Sequence, residues 1–97
     1  MEYKVENEIL YLYLKGQINS SNSEDVEKEV QQILTNESFK VIRIDMNDLD
    51  YISSAGLRII LKIKKQFDDT VLLAVPNNIF EILEMVGFTN IMTIEKK

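Results

Sequence analysis

The sequence predicts an α/β fold, a mixed sheet of about four or five strands with helices packed against it. Segments rich in β-branched and aromatic residues alternate along the chain with segments whose apolar residues recur at helical spacing. Their order is β-β-α-β-α-β-α-β, and the later β-α-β steps require parallel neighbours joined by right-handed crossovers. With 97 residues, 45% of them hydrophobic and 28% charged, residues 1–97 are expected to form one domain.

The first half of the chain predicts a hairpin followed by a helix. Tyr3 to Val5 and Ile9 to Leu14 are dense in strand-forming residues, with a turn at Asn7-Glu8 between them. The stretch SSNSEDVEKEVQQIL then changes to helical spacing. Ser21 and Glu24 have the spacing of a capping box, which predicts the start of this helix.

The second half repeats the alternation of strand and helix. Lys40 to Met46 is rich in β-branched residues, which predicts a strand buried on both faces. GLRIILKIKKQF predicts the second helix, and TVLLAV predicts another buried strand. Pro76 can open a third helix at its first position, and Gly87 can end that helix. The last stretch, NIMTIEKK, can supply a short edge strand whose terminal lysines oppose unwanted pairing.

Composition argues against several classes of function. The net charge of −5, from 11 basic and 16 acidic residues, does not suit a nucleic-acid partner. The chain has no cysteine and no histidine, which removes thiolate metal sites and the commonest general base. No apolar run approaches a membrane span and the N-terminal stretch lacks a signal-peptide pattern, so we expect a cytoplasmic protein without direct membrane insertion. Its small size favours a binding surface over a deep cofactor pocket.

The stretch DLDYISSAGLRIIL places Ser53 and Ser54 where a strand gives way to a helix. A hydroxyl at that position can cap the helix, a contribution of about 1 kcal/mol that would justify a serine without any further role. The same position can carry a phosphate, because free amides and the positive end of the helix dipole stabilise one. The small residues Ala55 and Gly56 would let another protein reach the backbone there. Both interpretations are open on the residues alone.

The serine turn does not match the common catalytic patterns. A nucleophile elbow needs glycine where Ile52 stands, and no histidine is present to deprotonate the serine. A serine–lysine pair would need a desolvated lysine, but Lys62, Lys64 and Lys65 lie along the far half of the helix. We therefore expect a protein that is not an enzyme.

Asp45, Asp48 and Asp50 precede the serine turn. Three aspartates in a loop are more often turn formers and surface charge than ligands of a divalent ion, so no metal site is expected. Their charge still matters, because a phosphate beside them would create a strongly anionic patch on an acidic chain.

The second helix has more apolar residues than one contact with a sheet needs. Apolar side chains at positions 57, 59, 60, 61, 63 and 67 span roughly 200° of the helical wheel. One flank is therefore expected to contact a partner beside the serine turn, either Leu57 and Leu61 or Ile59 and Ile63. Burial of both flanks by neighbouring helices is the alternative.

These segments resemble the STAS domains of anti-sigma factor antagonists. SSAGLRIIL is similar to the short D-S-S/T-G-L turn that opens a helix in that family. YLKGQINSSNSEDVEKEV is similar to the family's strand, G-E-L-D turn and first helix, and VIRIDMNDLDYISSAGL to its central strand and serine turn. VPNNIFEILEMVGFTNI is similar to its last helix and strand. The resemblance extends over nearly the whole chain.

The resemblance implies an anti-sigma factor antagonist that is not itself a catalyst. Such a domain binds an ATP-dependent anti-sigma factor serine kinase, frees the sigma factor, and is switched off by phosphorylation and on again by a serine phosphatase. The implied phosphorylation site is Ser54, two residues before the glycine, with Ser53 as the alternative. The partner-binding residues would be Asn19, Ser53, Ser54, Ala55, Gly56, Leu57, Arg58 and Leu61.

Three residues depart from the family's acidic pattern. Ser53 stands where many members carry aspartate, and Gln17 and Asn19 replace the acidic pair after the first glycine of the chain. These changes weaken the negative field around Ser54 and bear on its recognition by a kinase.

The alternative function is a STAS scaffold that is never phosphorylated, an adaptor in a signalling or lipid-transport complex. The sequence leaves the oligomeric state open.

Overall fold

A five-stranded mixed sheet and three α-helices make up the computed structural model, which describes residues 1–97. The elements are β1 Glu2–Glu6, β2 Ile9–Ile18, α1 Ser23–Asn36, β3 Val41–Ile52, α2 Ser54–Gln66, β4 Thr70–Val75, α3 Asn77–Met85, a 3₁₀ turn Phe88–Asn90, and β5 Thr93–Lys96. The strands lie in the order β1-β2-β3-β4-β5, with β1 antiparallel to β2 and every other pair parallel. The predicted fold class and element order are confirmed.

The sheet buries only one of its faces. Buried residues alternate with half-buried ones along the central strands, and the buried set includes Leu10, Leu12, Leu14, Ile42, Ile44 and Met46. Successive parallel strands joined by right-handed crossovers place their helices on the same side, so the opposite face has no helical cover. That face keeps Tyr11, Arg43 and Val71 half-buried. The prediction that β3 is buried on both faces is therefore wrong.

The N-terminal hairpin has the predicted turn. Asn7 and Glu8 have φ values of 53° and 66°. Two positive φ values define a type I′ turn, whose twist matches that of the flanking strands. On β1 the Tyr3 hydroxyl donates a hydrogen bond to Glu37 at the end of α1 over 3.1 Å, and this bond raises the pKa of Tyr3. The hairpin is thereby joined to the helical layer.

The third strand is longer than predicted. β3 continues past Met46 to Ile52, so Asp48 and Asp50 lie on a strand and not in a loop. Register shifts in the pairing of β2 with β3 accommodate this polar stretch, and Leu49 and Ile52 beyond it are buried in the core. The strand persists because its partner and its core contacts outweigh the low strand propensity of aspartate and asparagine.

The start of α1 lacks the predicted capping box. Asn22 is the N-cap residue, and its side chain makes no capping hydrogen bond. Its amide Nδ2 instead donates to the carbonyl of Gln17 over 2.7 Å, and its Oδ1 accepts from the N–H of Asn19 over 2.9 Å. The side chains of Ser21 and Glu24 do not form a capping box, and the side-chain amide of Asn22 organises the turn instead.

The ends of α3 follow the predicted signals with one shift. Pro76 is the N-cap residue of α3 and not its first helical residue. Gly87 has a φ of 85°, and its N–H donates to the carbonyl of Glu84 over 3.1 Å, as a glycine beyond a helix end does. Beyond it, β5 forms the predicted edge of the sheet. None of the helices has the length and apolar character needed to cross a membrane.

Candidate functional site

The serine turn connects the end of β3 to the start of α2. Ser53 is the N-cap residue of α2, where its Oγ accepts from the N–H of Gly56 over 3.3 Å and its carbonyl accepts from the N–H of Leu57 over 2.9 Å. Ser54 is the first residue of the helix, is exposed, and makes no side-chain hydrogen bond, whereas Ser53 is half-buried. The two serines thus differ: Ser53 holds the helix start, and Ser54 presents a free hydroxyl.

Removal of the Ser53 hydroxyl is expected to weaken the start of α2. Ser53→Ala leaves the N–H of Gly56 without its acceptor, which should cost about 1 kcal/mol and lower the melting temperature by about 4–8 °C. Ser54→Ala removes an exposed hydroxyl without a partner and should change stability by less than about 0.5 kcal/mol. Thermal unfolding followed by circular dichroism compares the two variants. A Ser53→Ala variant that melts with the wild type would contradict this assignment of the cap.

The turn between β2 and α1 lies beside the serine turn. The N–H of Ser53 donates to the carbonyl of Ile18 over 2.8 Å. One residue on, Asn19 Oδ1 accepts from the N–H of Ser21 over 2.9 Å and from that of Asn22 over 3.2 Å. An aspartate oxygen at position 19 would accept the same two hydrogen bonds. The departure from the family's acidic pattern therefore removes charge from this turn while the turn itself is kept.

Gly56 is buried and faces the core. A Cβ atom on Gly56 would lie 2.6 Å from Ile52 Cγ1 and 2.9 Å from Ile18 Cγ2, which leaves no room for a side chain. The absence of a side chain lets α2 approach the ends of β2 and β3 closely. The expectation that a partner reaches the backbone at Gly56 does not fit this burial, although the neighbouring Ala55 is only half-buried.

An apolar groove opens next to Ser54, between α2 and the end of α3. It has a volume of about 190 Å³ and is lined by Ser54, Leu57, Arg58, Leu61, Val86 and Phe88. Leu61 is half-buried, and Leu57 keeps 9% of its surface exposed at the floor. Ile59 and Ile63 are buried in the core. Of the two flanks proposed from the sequence, the one formed by Leu57 and Leu61 borders solvent.

Three exposed apolar residues surround Gly87 at the end of α3. Met85 is 84% exposed, and Val86 and Ile91 are about half exposed. Because Val86 also lines the groove, apolar surface continues from the groove onto this segment. A cluster of exposed apolar side chains is typical of a protein contact surface. This cluster was not predicted from the sequence, although three large apolar residues around a helix-ending glycine were a signal.

A second cleft lies on the other side of Arg58, between α1 and α2. It has a volume of about 310 Å³ and is lined by Ser20, Ser23, Glu24, Glu27, Ala55, Arg58, Ile59 and Lys62. Lys62 Nζ is 2.6 Å from Glu27 Oε2, whereas Arg58 has no hydrogen bond or ion pair. Arg58 therefore lines both the apolar groove and this cleft, which holds two glutamates and two cationic side chains.

The aspartates before the serine turn do not converge on a point. Asp45 Oδ1 accepts from the N–H of Asn47 over 2.9 Å, and Asp48 Oδ1 accepts from the side-chain amide of Asn47 over the same distance. Asp50 is exposed further along β3. No group of three acidic side chains is placed to hold a metal ion.

Two of the three lysines of α2 that a serine–lysine pair would need have other partners. Lys62 pairs with Glu27, and Lys64 Nζ lies 3.6 Å from Asp68 Oδ1. Lys65 is exposed to water.

A family model and a curated relative match this chain. The family model, described as STAS domain, covers residues 1–97. BtrV of Bordetella bronchiseptica, a candidate anti-sigma factor antagonist, is 34% identical over 90 residues, which are 89% of this chain and 77% of BtrV.

Solved structures share the fold at lower identity. TM1081 of Thermotoga maritima, a candidate anti-sigma factor antagonist, aligns with a TM-score of 0.88 and 20% identity over 99% of this chain and 86% of TM1081. SpoIIAA in its unphosphorylated form aligns with a TM-score of 0.71 and 13% identity over 99% and 86% of the two chains. The phosphorylated form of Bacillus SpoIIAA aligns with a TM-score of 0.66 and 15% identity over 96% of this chain and 90% of SpoIIAA. The match over residues 1–97, together with BtrV, shows that the chain belongs to the STAS domain family, in its anti-sigma factor antagonist branch.

Proposed function

We propose that the chain binds an ATP-dependent anti-sigma factor serine kinase and is switched off by phosphorylation of Ser54. The observation that carries this proposal is the exposed, unpartnered hydroxyl of Ser54 on the rim of the apolar groove. The likeness to BtrV, a candidate anti-sigma factor antagonist, and the two solved forms of SpoIIAA support it. In this role the protein acts in the cytoplasm by binding, without catalysis of its own, and a serine phosphatase restores the active form.

Ser54 suits a kinase better than Ser53. Phosphoryl transfer needs a hydroxyl that can enter another protein's active site, and Ser53 is half-buried with its oxygen already accepting from Gly56. Modification of Ser53 would disrupt the helix cap. A phosphate on Ser54 would sit at the start of α2, where free amides and the helix dipole stabilise negative charge. The modified domain should therefore stay folded.

The partner surface would combine the serine turn with the apolar groove. Its members are Asn19, Ser53, Ser54, Ala55, Leu57, Arg58 and Leu61, with Gly56 packed beneath them. Apolar side chains of the kinase would close over Leu57 and Leu61 while the serine is unmodified. A phosphate on the rim would add bulk and a charge that must be desolvated, and both oppose the contact. Unmodified protein would bind, and modified protein would release the kinase.

A scaffold that is never phosphorylated is the second candidate. It is favoured by the uncharged residues at Gln17, Asn19 and Ser53, because the resemblance places acidic residues at these positions. Such a protein would use the same groove as a constitutive adaptor in a signalling or lipid-transport complex.

Intact-mass analysis of the protein from its native host distinguishes the two functions. We expect a fraction that is about 80 Da heavier, the mass added by one phosphate. It should map to Ser54, disappear in Ser54→Ala and persist in Ser53→Ala, which is the matched control one residue away. A single unmodified mass in every growth condition would favour the scaffold.

A further inference from the structure

Arg58 is an arginine without a partner. The chain has two arginines. Arg43 is held at the sheet, where its Nη1 lies 3.3 Å from Asp69 Oδ1 and also donates to backbone carbonyls. Arg58 is exposed and makes no hydrogen bond or ion pair, so its five N–H donors are free. The planar fork of an arginine suits phosphate oxygens better than a lysine ammonium does.

Arg58 stands between two clefts, one apolar and one lined by charged side chains of both signs. On one side is the groove of about 190 Å³ that it shares with Ser54 and apolar residues. On the other is the cleft of about 310 Å³ that it shares with Glu24 and Glu27 of α1. In the unmodified protein Glu27 is paired with Lys62, so Glu24 is the one unpaired carboxylate of this cleft, and it is not within salt-bridge distance of Arg58.

We propose that a phosphate on Ser54 binds the guanidinium of Arg58 directly and so holds it on the side of the apolar groove. Ser54 and Arg58 are four residues apart on one helix, the spacing at which side chains meet. A phosphoserine carries about −1.5 to −2 charges on three acceptor oxygens, more than either glutamate offers. This inference rests on the proposed function in taking Ser54 as the modified residue.

Phosphorylation would then change two surfaces at once. The rim of the groove gains a negative group that Arg58 partly neutralises. The cleft between α1 and α2 loses its unpaired cation and keeps Glu24, since Lys62 is already paired with Glu27. A partner that contacts only this cleft would therefore respond to Ser54 without touching it.

The second pKa of the phosphate reports on its contact with Arg58, because a nearby cation favours the doubly charged form. Phosphoserine is placed at residue 54 of the full chain by genetic encoding, without a kinase, and ³¹P NMR follows its titration. We expect the second pKa of the phosphate, about 6 when unperturbed, to lie about 0.3–0.7 pH units lower in the wild type than in Arg58→Gln. The other nearby groups are the same in both proteins, so the comparison isolates Arg58. They are Glu24 and Glu27 on α1, Lys62 on α2, and the free amides of the serine turn, and the exposed Asp50 of β3 is also common to both proteins.

Lys62→Gln is the matched control, because it also removes one positive charge from α2 but affects a side chain paired with Glu27. Its effect on the phosphate pKa should be less than half that of Arg58→Gln. Arg58→Lys keeps the charge without the fork and should give an intermediate value, and it serves as the test variant if circular dichroism shows that Arg58→Gln does not fold.

Equal phosphate pKa values in the wild type and Arg58→Gln, or equal shifts in Arg58→Gln and Lys62→Gln, would overturn the contact. Because the phosphate is installed without a kinase, such a result leaves the proposed function standing. Absence of phosphorylation in the host would instead overturn the proposed function without altering the titration.

Discussion

Protein phosphorylated at Ser54 is expected to bind the kinase partner at least about 100-fold more weakly than unmodified protein. The phosphate adds bulk and about two charges at the rim of the groove, and their desolvation should cost several kcal/mol, with each 1.4 kcal/mol worth about tenfold in affinity. Ser54→Ala should bind like the wild type and resist phosphorylation. Ser54→Asp should bind less well than the wild type but better than the phosphorylated protein, because one carboxylate carries less charge. Titration calorimetry with the partner isolated by affinity capture measures all four.

Ser38→Asp is the matched control for added charge. Ser38 is exposed in the connection before β3, whereas the serine turn follows the other end of that strand. An aspartate at residue 38 should leave partner affinity unchanged, and all variants should keep their melting temperature within a few degrees of the wild type. Equal affinity of phosphorylated and unmodified protein would defeat the switch and leave the constitutive scaffold as the better function.

Gly56→Val is expected to destabilise the fold by about 3 kcal/mol or more. The Cβ atom alone would approach Ile52 Cγ1 to 2.6 Å and Ile18 Cγ2 to 2.9 Å, and valine carries two methyl groups beyond that atom. To relieve the overlap, α2 would have to move away from the sheet and carry Ser54 with it. Urea unfolding of the variant and the wild type measures the loss as a change in midpoint.

Ala55→Val is the matched control for this effect. It places valine one residue earlier in the same helical turn, at a residue that is half-buried and borders a cleft. Only the lower helix propensity of valine should act there, at less than about 1 kcal/mol. If Gly56→Val unfolded at the same urea concentration as Ala55→Val, the result would contradict the inference that Gly56 lets α2 pack closely on β2 and β3.

The end of β3 and the burial of its second face differ from the prediction, because both depend on contacts with segments far away in the sequence. The aspartates after Met46 have low strand propensity, yet β3 continues because β2 runs beside it and Leu49 and Ile52 reach the core. Val41, Arg43 and Asp45 on β3 alternate with buried residues, but the density of β-branched residues suggested burial on both sides. The sheet order places every helix on one face, and this order follows from long-range pairing.

Periodicity and turn residues were enough to predict the element order, the hairpin turn at Asn7-Glu8 and a hydroxyl at a helix start. These are local properties, since they depend on neighbours within a few residues of the chain. The tertiary structure decided that Ser53 is half-buried while Ser54 stays exposed, that Gly56 packs inward, and that Arg58 stands between an apolar groove and a charged cleft. Each of those features depends on segments far apart in sequence, such as Ser54 and Val86, whose relative positions are set only when the helices pack on the sheet.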